Sequence, residues 1–380
     1  MTIPATTVAV SGLRFSATYA LSGPVSEARE RAAAISVEQT IEFPPDLIAN
    51  DDIRGHVIGR VETVDETGPE RVLVRISYAI ETSGSELPQL LNVLFGNASL
   101  LPGVRLMDLE VPPELLARFR GPRFGIAGLR RLLEAPDRPL VATALKPMGL
   151  NSASLAEMAR TLALAGLDII KDDHGLANQP FAPYLERVRA CAEAVRRANR
   201  ETGGRSIYLP SINAPAEQIV SRARAAKEAG AGGLLVLPGF AGLDTMRALA
   251  DDDDLDLPIM AHPAFLGSYV VDEKLGIEHG TLFGTIMRLA GADISIFPGY
   301  GGRFSFNRPA CRSILEACRA PLGTVAPTMP APGGGVTLDR IDEVVGFYGS
   351  DSVLLIGGDL HRGDLIDNAR RMRAAVEVAA

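Results

Sequence analysis

The sequence has no tryptophan, and aromatic residues are only 5% of its 380 positions. That scarcity argues against an aromatic-lined recognition module. It fits a core of Ala, Leu, Val and Ile, and 47% of the residues are hydrophobic, as in α/β proteins. Cysteine is scarce as well. Cys191, Cys311 and Cys318 make no paired framework, and the last two are spaced as core thiols of one helix. This usage suits a reducing, cytoplasmic location. No basic block is present and the net charge is −8, which excludes nucleic acid as an expected partner. No apolar run approaches membrane-spanning length, and Met1-Thr2-Ile3-Pro4-Ala5-Thr6 has no basic region leading into an apolar one. Neither a membrane nor a secretion signal is therefore expected. Asp251–Asp254 is a run of like charges and reads as a solvated loop tip.

What is present divides at about residue 125. Residues 1–125 mix strand and helix patterns. Leu13–Tyr19 alternates as a strand, Val25–Ala34 is helical, and Ile35–Phe43 reads as extended up to Pro44-Pro45. His56–Val64 and Val72–Ile80 form a hairpin pattern, Ser85–Phe95 a helix, and Val104–Val111 a last strand. The order β-α-β-β-α-β predicts a ferredoxin-like α+β domain. In residues 126–380 eight short apolar runs recur, most of them separated by helical segments. They are Leu140–Lys146, Leu167–Lys171, Ile207–Ile212, Gly233–Leu237, Pro258–Ala261, Ile294–Phe297, Gly323–Ala326 and Val353–Ile356. Their length suits buried parallel strands. The repeat predicts a (β/α)8 TIM barrel, with a doubly wound sheet as the competing arrangement.

Polar residues follow nearly every run. They include Lys146, then Lys171-Asp172-Asp173-His174, Asn213, His262, Gly333-Gly334-Gly335, and Gly357-Gly358-Asp359 with His361. Three of the five histidines are among them. In a barrel these ends converge on one mouth, where a catalytic constellation is expected. Lys171, Asp173 and His174 suit either a metal site or a solvated ion-pair loop. An imidazole is a poorer ligand for Mg²⁺ than for Zn²⁺ or Mn²⁺. Lys146 suits a proton-transfer group with lowered pKa, or an ion pair with Asp172 or Asp173. Gly333, Gly334, Gly357 and Gly358 follow the seventh and eighth runs, where barrels bind phosphate through backbone N–H groups. Tight turns are the other use of such pairs.

These residues carry a resemblance. Ala144-Leu145-Lys146-Pro147, Gly166-Leu167-Asp168-Ile169-Ile170-Lys171-Asp172-Asp173, Asn178-Gln179-Pro180-Phe181 and Met260-Ala261-His262-Pro263 resemble the RuBisCO superfamily, as does Asp351–Gly358. Asn92–Gly96 and Arg105–Leu109 extend it into the first domain. The resemblance implies the fold read above. It implies that Lys171 is carbamylated by CO₂ and, with the acidic residues after it, holds Mg²⁺. Lys146 would then move protons, His262 contact substrate, and the glycines bind one phosphate. It also implies a homodimer whose active site is shared between subunits, with Thr40 and Asn92 contributing from the first domain.

The departures select a branch. Carboxylases have Glu where His174 stands, a second lysine where Met148 stands, and Arg where Pro263 stands. Their mobile lysine loop is replaced by Pro298-Gly299-Tyr300-Gly301-Gly302-Arg303. The methionine-salvage enolases carry a lysine base where this chain has Asn97. Glu38-Gln39-Thr40 and Lys-Asp-Asp-His look like the non-photosynthetic RuBisCO-like proteins. The expectation is an isomerase or a decarboxylating or C–C-cleaving lyase. It would enolise a small phosphorylated keto-sugar or keto-acid without fixing CO₂. Two other classes compete: a zinc hydrolase using His174, His262 and His361, and a non-catalytic sugar-phosphate binder.

Overall fold

Alternating apolar residues set the first sheet. In β1 (Arg14–Ser22), Phe15, Ala17, Tyr19 and Leu21 fall on one face and all are buried. The computed structural model describes residues 9–378, so the reading of Met1–Thr6 lies outside the described residues. Contacts divide the chain into two units. One is the chain up to Phe119 with Leu266–Leu282 and Leu322–Thr324. The other is Arg120–Phe265, Phe283–Pro321 and the chain from Val325 onward.

The first unit adds β2 (Arg60–Gly68), β3 (Arg71–Ala79), β4 (Val104–Glu110) and a two-residue strand β10 (Gly276–Ile277) to β1. The sheet order is β10-β4-β1-β3-β2, antiparallel except where β10 joins β4. Helices Ala28–Glu38 and Leu87–Phe95 complete the β-α-β-β-α-β order. The Tyr19 hydroxyl donates to Leu94 O at 2.6 Å, tying the second helix to the sheet. One expectation fails. Ile35–Phe43 is not extended, because the helix continues to Glu38 and turns follow it. Ala28, Ala32 and Ile35 are all buried, so Ile35 completes a helical stripe that outweighs its β-branched preference.

The second unit is an eight-stranded parallel barrel. Its strands are β5 (Leu140–Leu145), β6 (Ile169–Asp172), β7 (Ile207–Leu209), β8 (Leu234–Val236), β9 (Ile259–Ala261), β11 (Ile294–Pro298), β12 (Met329–Gly333) and β13 (Val353–Leu355). The order β7-β6-β5-β13-β12-β11-β9-β8 closes where Ser211 bridges to Leu235. Alternate residues from every strand fill the centre, among them Ala142, Ile169, Leu209, Leu235, Met260, Ile296, Ala331 and Leu355. The other members of each strand face the surrounding helices.

The seventh strand is Met329–Gly333, not Gly323–Ala326. Pro330 and Pro332 disguise it, since proline lacks the N–H a central strand uses. Here Met329 N–H reaches Asp293 O on the β11 side, and the prolines alternate with the residues that bond there. On the other side β12 pairs with β13 only at Gly333 and Leu355, so little is lost. The Asp251–Asp254 run does end in an exposed turn at Asp253 and Asp254, and three of its carboxylates are paired at the surface. Asp251 pairs with Arg247, Asp252 with Arg224, and Asp253 with Arg120 and Arg123. Cys191, Cys311 and Cys318 are buried thiols.

Candidate active site

The period-two alternation of β6 sorts the charged block. Ile169 points into the barrel, so Lys171 does too, at the mouth, while Asp172 points outward. Asp172 is fully buried against the helix Tyr184–Thr202. There it accepts from Arg187 Nε at 3.1 Å, the Tyr208 hydroxyl at 2.7 Å and Ser211 N–H at 3.0 Å. These partners occupy it as a structural anchor. Asp173, just past the strand, returns to the mouth.

Asp173 is the centre of the polar cluster. Lys146 Nζ, from the end of β5, lies 2.9 Å from its Oδ1, and His174 Nδ1 lies 3.5 Å from the same atom. Burial pushes the Asp173 carboxyl up. Hydrogen bonds from His174 and Lys146 outweigh that and hold it well below the usual carboxylate range. Lys171 is 2% exposed, and its Nζ donates to Asp172 O at 3.1 Å. Burial lowers its pKa to about 8, with Asp173 opposing and Lys146 adding to the shift. Of the two alternatives for Lys146, the ion pair with Asp173 is the contact observed.

His262, after β9, stacks on His174, with ring centroids 4.4 Å apart and planes inclined by 14°. Its Nδ1 accepts the Ala264 N–H at 3.1 Å, so the ring proton is on Nε2. Burial, then the charges of Lys171 and His174, lower its pKa to about 2. The ring is a neutral donor at the mouth. His361, after β13, has a buried Nε2 with no hydrogen-bond partner, and its pKa is lowered by burial and by Lys146. Among the described residues no three His, Cys, Asp or Glu side chains are arranged to hold a metal. The three-histidine zinc centre of the hydrolase alternative is therefore not assembled.

The glycines sit on neighbouring strands. Gly333 is in register with Leu355, so Gly333-Gly334 and Gly357-Gly358 end adjacent strands at the same rim. Gly334 has φ +74°, a conformation that side chains strain to adopt, and any Cβ at Gly357 or Gly358 would meet open space. Asp359 Oδ2 accepts Leu338 N–H at 3.0 Å and so links the two loops.

Thr40 and Asn92 lie in the first unit. Thr40 Oγ1 donates to Ser36 O at 2.7 Å. Gln39 is buried and brackets the second helix, donating to Asn92 O and Val93 O and accepting from Ala98 N–H. Asn97 donates to Glu38 at 2.8 Å.

The model of the ribulose bisphosphate carboxylase large chain, catalytic domain, matches residues 125–378. The chain belongs to the RuBisCO large-chain family. A RuBisCO-like protein of Rhodopseudomonas palustris superposes with a TM-score of 0.87 at 40% identity, over 96% of this chain and 97% of that one. The 5-methylthioribulose-1-phosphate isomerase of Rhodospirillum rubrum is 40% identical over 91% of each chain. The 2,3-diketo-5-methylthiopentyl-1-phosphate enolase of Geobacillus thermodenitrificans is 33% identical over 96% of this chain and 92% of its own. Within this RuBisCO-like group the chain is an enzyme of the enolising superfamily, and none of these three relatives is named a carboxylase.

Sequence reasoning missed two supports of the site. Arg187 and Tyr208 anchor Asp172, and the Ala264 N–H fixes the His262 tautomer. A charged residue on the apolar face of a helix was the available signal for Arg187. The backbone contact to His262 leaves no trace in the sequence.

Proposed function

We propose that this chain enolises a phosphorylated keto-sugar or keto-acid at the barrel mouth, as an isomerase or lyase that does not fix CO₂. The observation that carries the reading is the convergence of Lys146, Lys171, Asp173, His174 and His262 beside two glycine loops. Asn97 narrows the reaction. An amide held by Glu38 cannot take a proton from carbon, so the isomerase or lyase is favoured over the lysine-dependent enolase.

A metal fits here under one condition. Asp173 and His174 supply only two donors, and Lys171 as an amine supplies none. A buried amine with its pKa lowered to about 8 is partly neutral near pH 7 and can attack CO₂. The N–C bond forms, the amine proton leaves to solvent, and the side chain becomes an anionic carbamate with oxygen donors. Lys171, Asp173 and His174 would then hold Mg²⁺. When bound, the cation would polarise a substrate carbonyl and so acidify the neighbouring C–H.

The other residues have separate tasks. His262 offers its Nε2–H to a substrate oxygen and cannot serve as base through Nδ1, which Ala264 occupies. Lys146, partly exposed beside Asp173, is placed to hold or pass a proton. Gly333, Gly334, Gly357 and Gly358 take the phosphate through backbone N–H groups. Thr40 and Asn92 serve a second copy of the chain in a homodimer. Exposed Phe43, Leu47 and Leu100 in the same unit support a covered face.

The test is incubation with 5-methylthioribulose 1-phosphate in D₂O with Mg²⁺ and bicarbonate. Deuterium should enter at the carbon next to the carbonyl. No exchange with this or other ketose monophosphates would reduce the chain to a binder. Sedimentation at micromolar concentration should give a dimer, and a fully active monomer would remove the shared site.

A further inference from the structure

The loop after β11 is fastened, not free. Gly299 N–H donates to Gly333 O at 3.0 Å. A Cβ on Gly302 would lie 2.7 Å from Gly334 O, and one on Gly335 would lie 2.6 Å from Gly302 N, so the two backbones interlock where only glycine fits. Arg340 Nη1 donates to Gly335 O at 2.8 Å, and the same guanidinium sits over the Tyr300 ring. Glu343 accepts from both Tyr300 Oη and Arg340 Nε. The loop is thus a fixed wall against the glycine run that follows β12.

That wall carries a cation. Phe304 is 48% exposed, and its ring lies 3.7 Å from the position a Cβ would take on Gly334. The Arg303 guanidinium lies over this ring, 5.0 Å from its centroid. Among the described residues Arg303 makes no ion pair and donates no hydrogen bond. Arg340 and Arg308 pair with Glu343, Lys146 with Asp173, and Arg362, beyond Gly358, with Asp359. Backbone N–H groups bring only partial charge to a phosphate dianion, whereas a guanidinium supplies a full charge and a planar fork.

We propose that Arg303 is the cation of the phosphate seat, presented on the Phe304 ring from a fixed loop. This rests on the reading of Gly333, Gly334, Gly357 and Gly358 as the seat. The chemistry is that of a monophosphate ester whose phosphoryl oxygens accept from glycine N–H groups on one side and from Arg303 on the other.

Calorimetric titration with inorganic phosphate tests it on the full chain. Wild type should bind, and Gly334→Val should lose binding. Arg303→Ala should weaken it about tenfold or more, with a flatter dependence on ionic strength, while Arg303→Lys keeps part of the affinity. Arg303 is exposed, so these variants should unfold like the wild type. Undiminished binding by Arg303→Ala, with Gly334→Val defective, overturns the role of Arg303 and leaves the glycine seat standing. Binding that is absent in wild type, or unaffected by Gly334→Val, overturns the seat and the inference with it.

Discussion

The rings of His174 and His262 stack face to face at 4.4 Å, and only one of them has its tautomer fixed by the backbone. Because His262 Nδ1 accepts from Ala264 and its pKa is lowered to about 2, His262 should stay neutral with Nε2 protonated throughout pH 5–9. Histidine ¹⁵N chemical shifts report this directly. A His262 titration near pH 6.5 would contradict the donor role.

Lys171 should take up CO₂ in a pH-dependent way. Its pKa, lowered by burial to about 8, means the neutral nucleophile dominates above pH 8 and is lost as pH falls below it. With ¹³C-bicarbonate, a carbamate resonance should grow as pH rises through 8. It should vanish in Lys171→Ala. A resonance that survives that substitution would assign the modification elsewhere.

The neighbouring aspartates should behave oppositely. Arg187→Met leaves Asp172 as an unpaired buried carboxylate. Breaking such a pair costs about 3–5 kcal/mol, which denaturant unfolding would register. Asp173→Asn should leave stability nearly intact but lower turnover on the order of 10²–10⁴-fold, since Lys146 and His174 lose their common partner. Equal destabilisation by both would mean that the mouth and the anchor are one structural unit.

His174→Glu separates ligation from proton work. A carboxylate gives Mg²⁺ an anionic oxygen, so calorimetry in bicarbonate buffer should show binding tightened about tenfold. Turnover that falls despite the tighter Mg²⁺ would show that the imidazole also moves a proton, and turnover that is kept would leave it a ligand alone. Unchanged Mg²⁺ affinity would move the cation away from His174.

Much of this protein is written locally. Short apolar runs ending in polar residues dictate parallel strands with a chemical rim, because an interior strand must be apolar and its end need not be. The eighth-strand run and the Lys171–His174 block needed nothing more. The seventh strand did, since Pro330 and Pro332 are tolerable only where the facing strand asks for almost no hydrogen bonds. Ile35 likewise has a strand-former's side chain, and the stripe it shares with Ala28 and Ala32 made it helical. The division of labour between Asp172 and Asp173 belongs to the tertiary structure. It depends on Arg187, 15 residues away, and on Tyr208 in the next strand, which together claim one carboxylate and leave the other to Lys146. So does the placement of Arg303, which gains meaning only when its loop lies against Gly334. Sequence periodicity decides which face a residue takes. Which partner it meets there is decided by the packing of segments far apart in the chain.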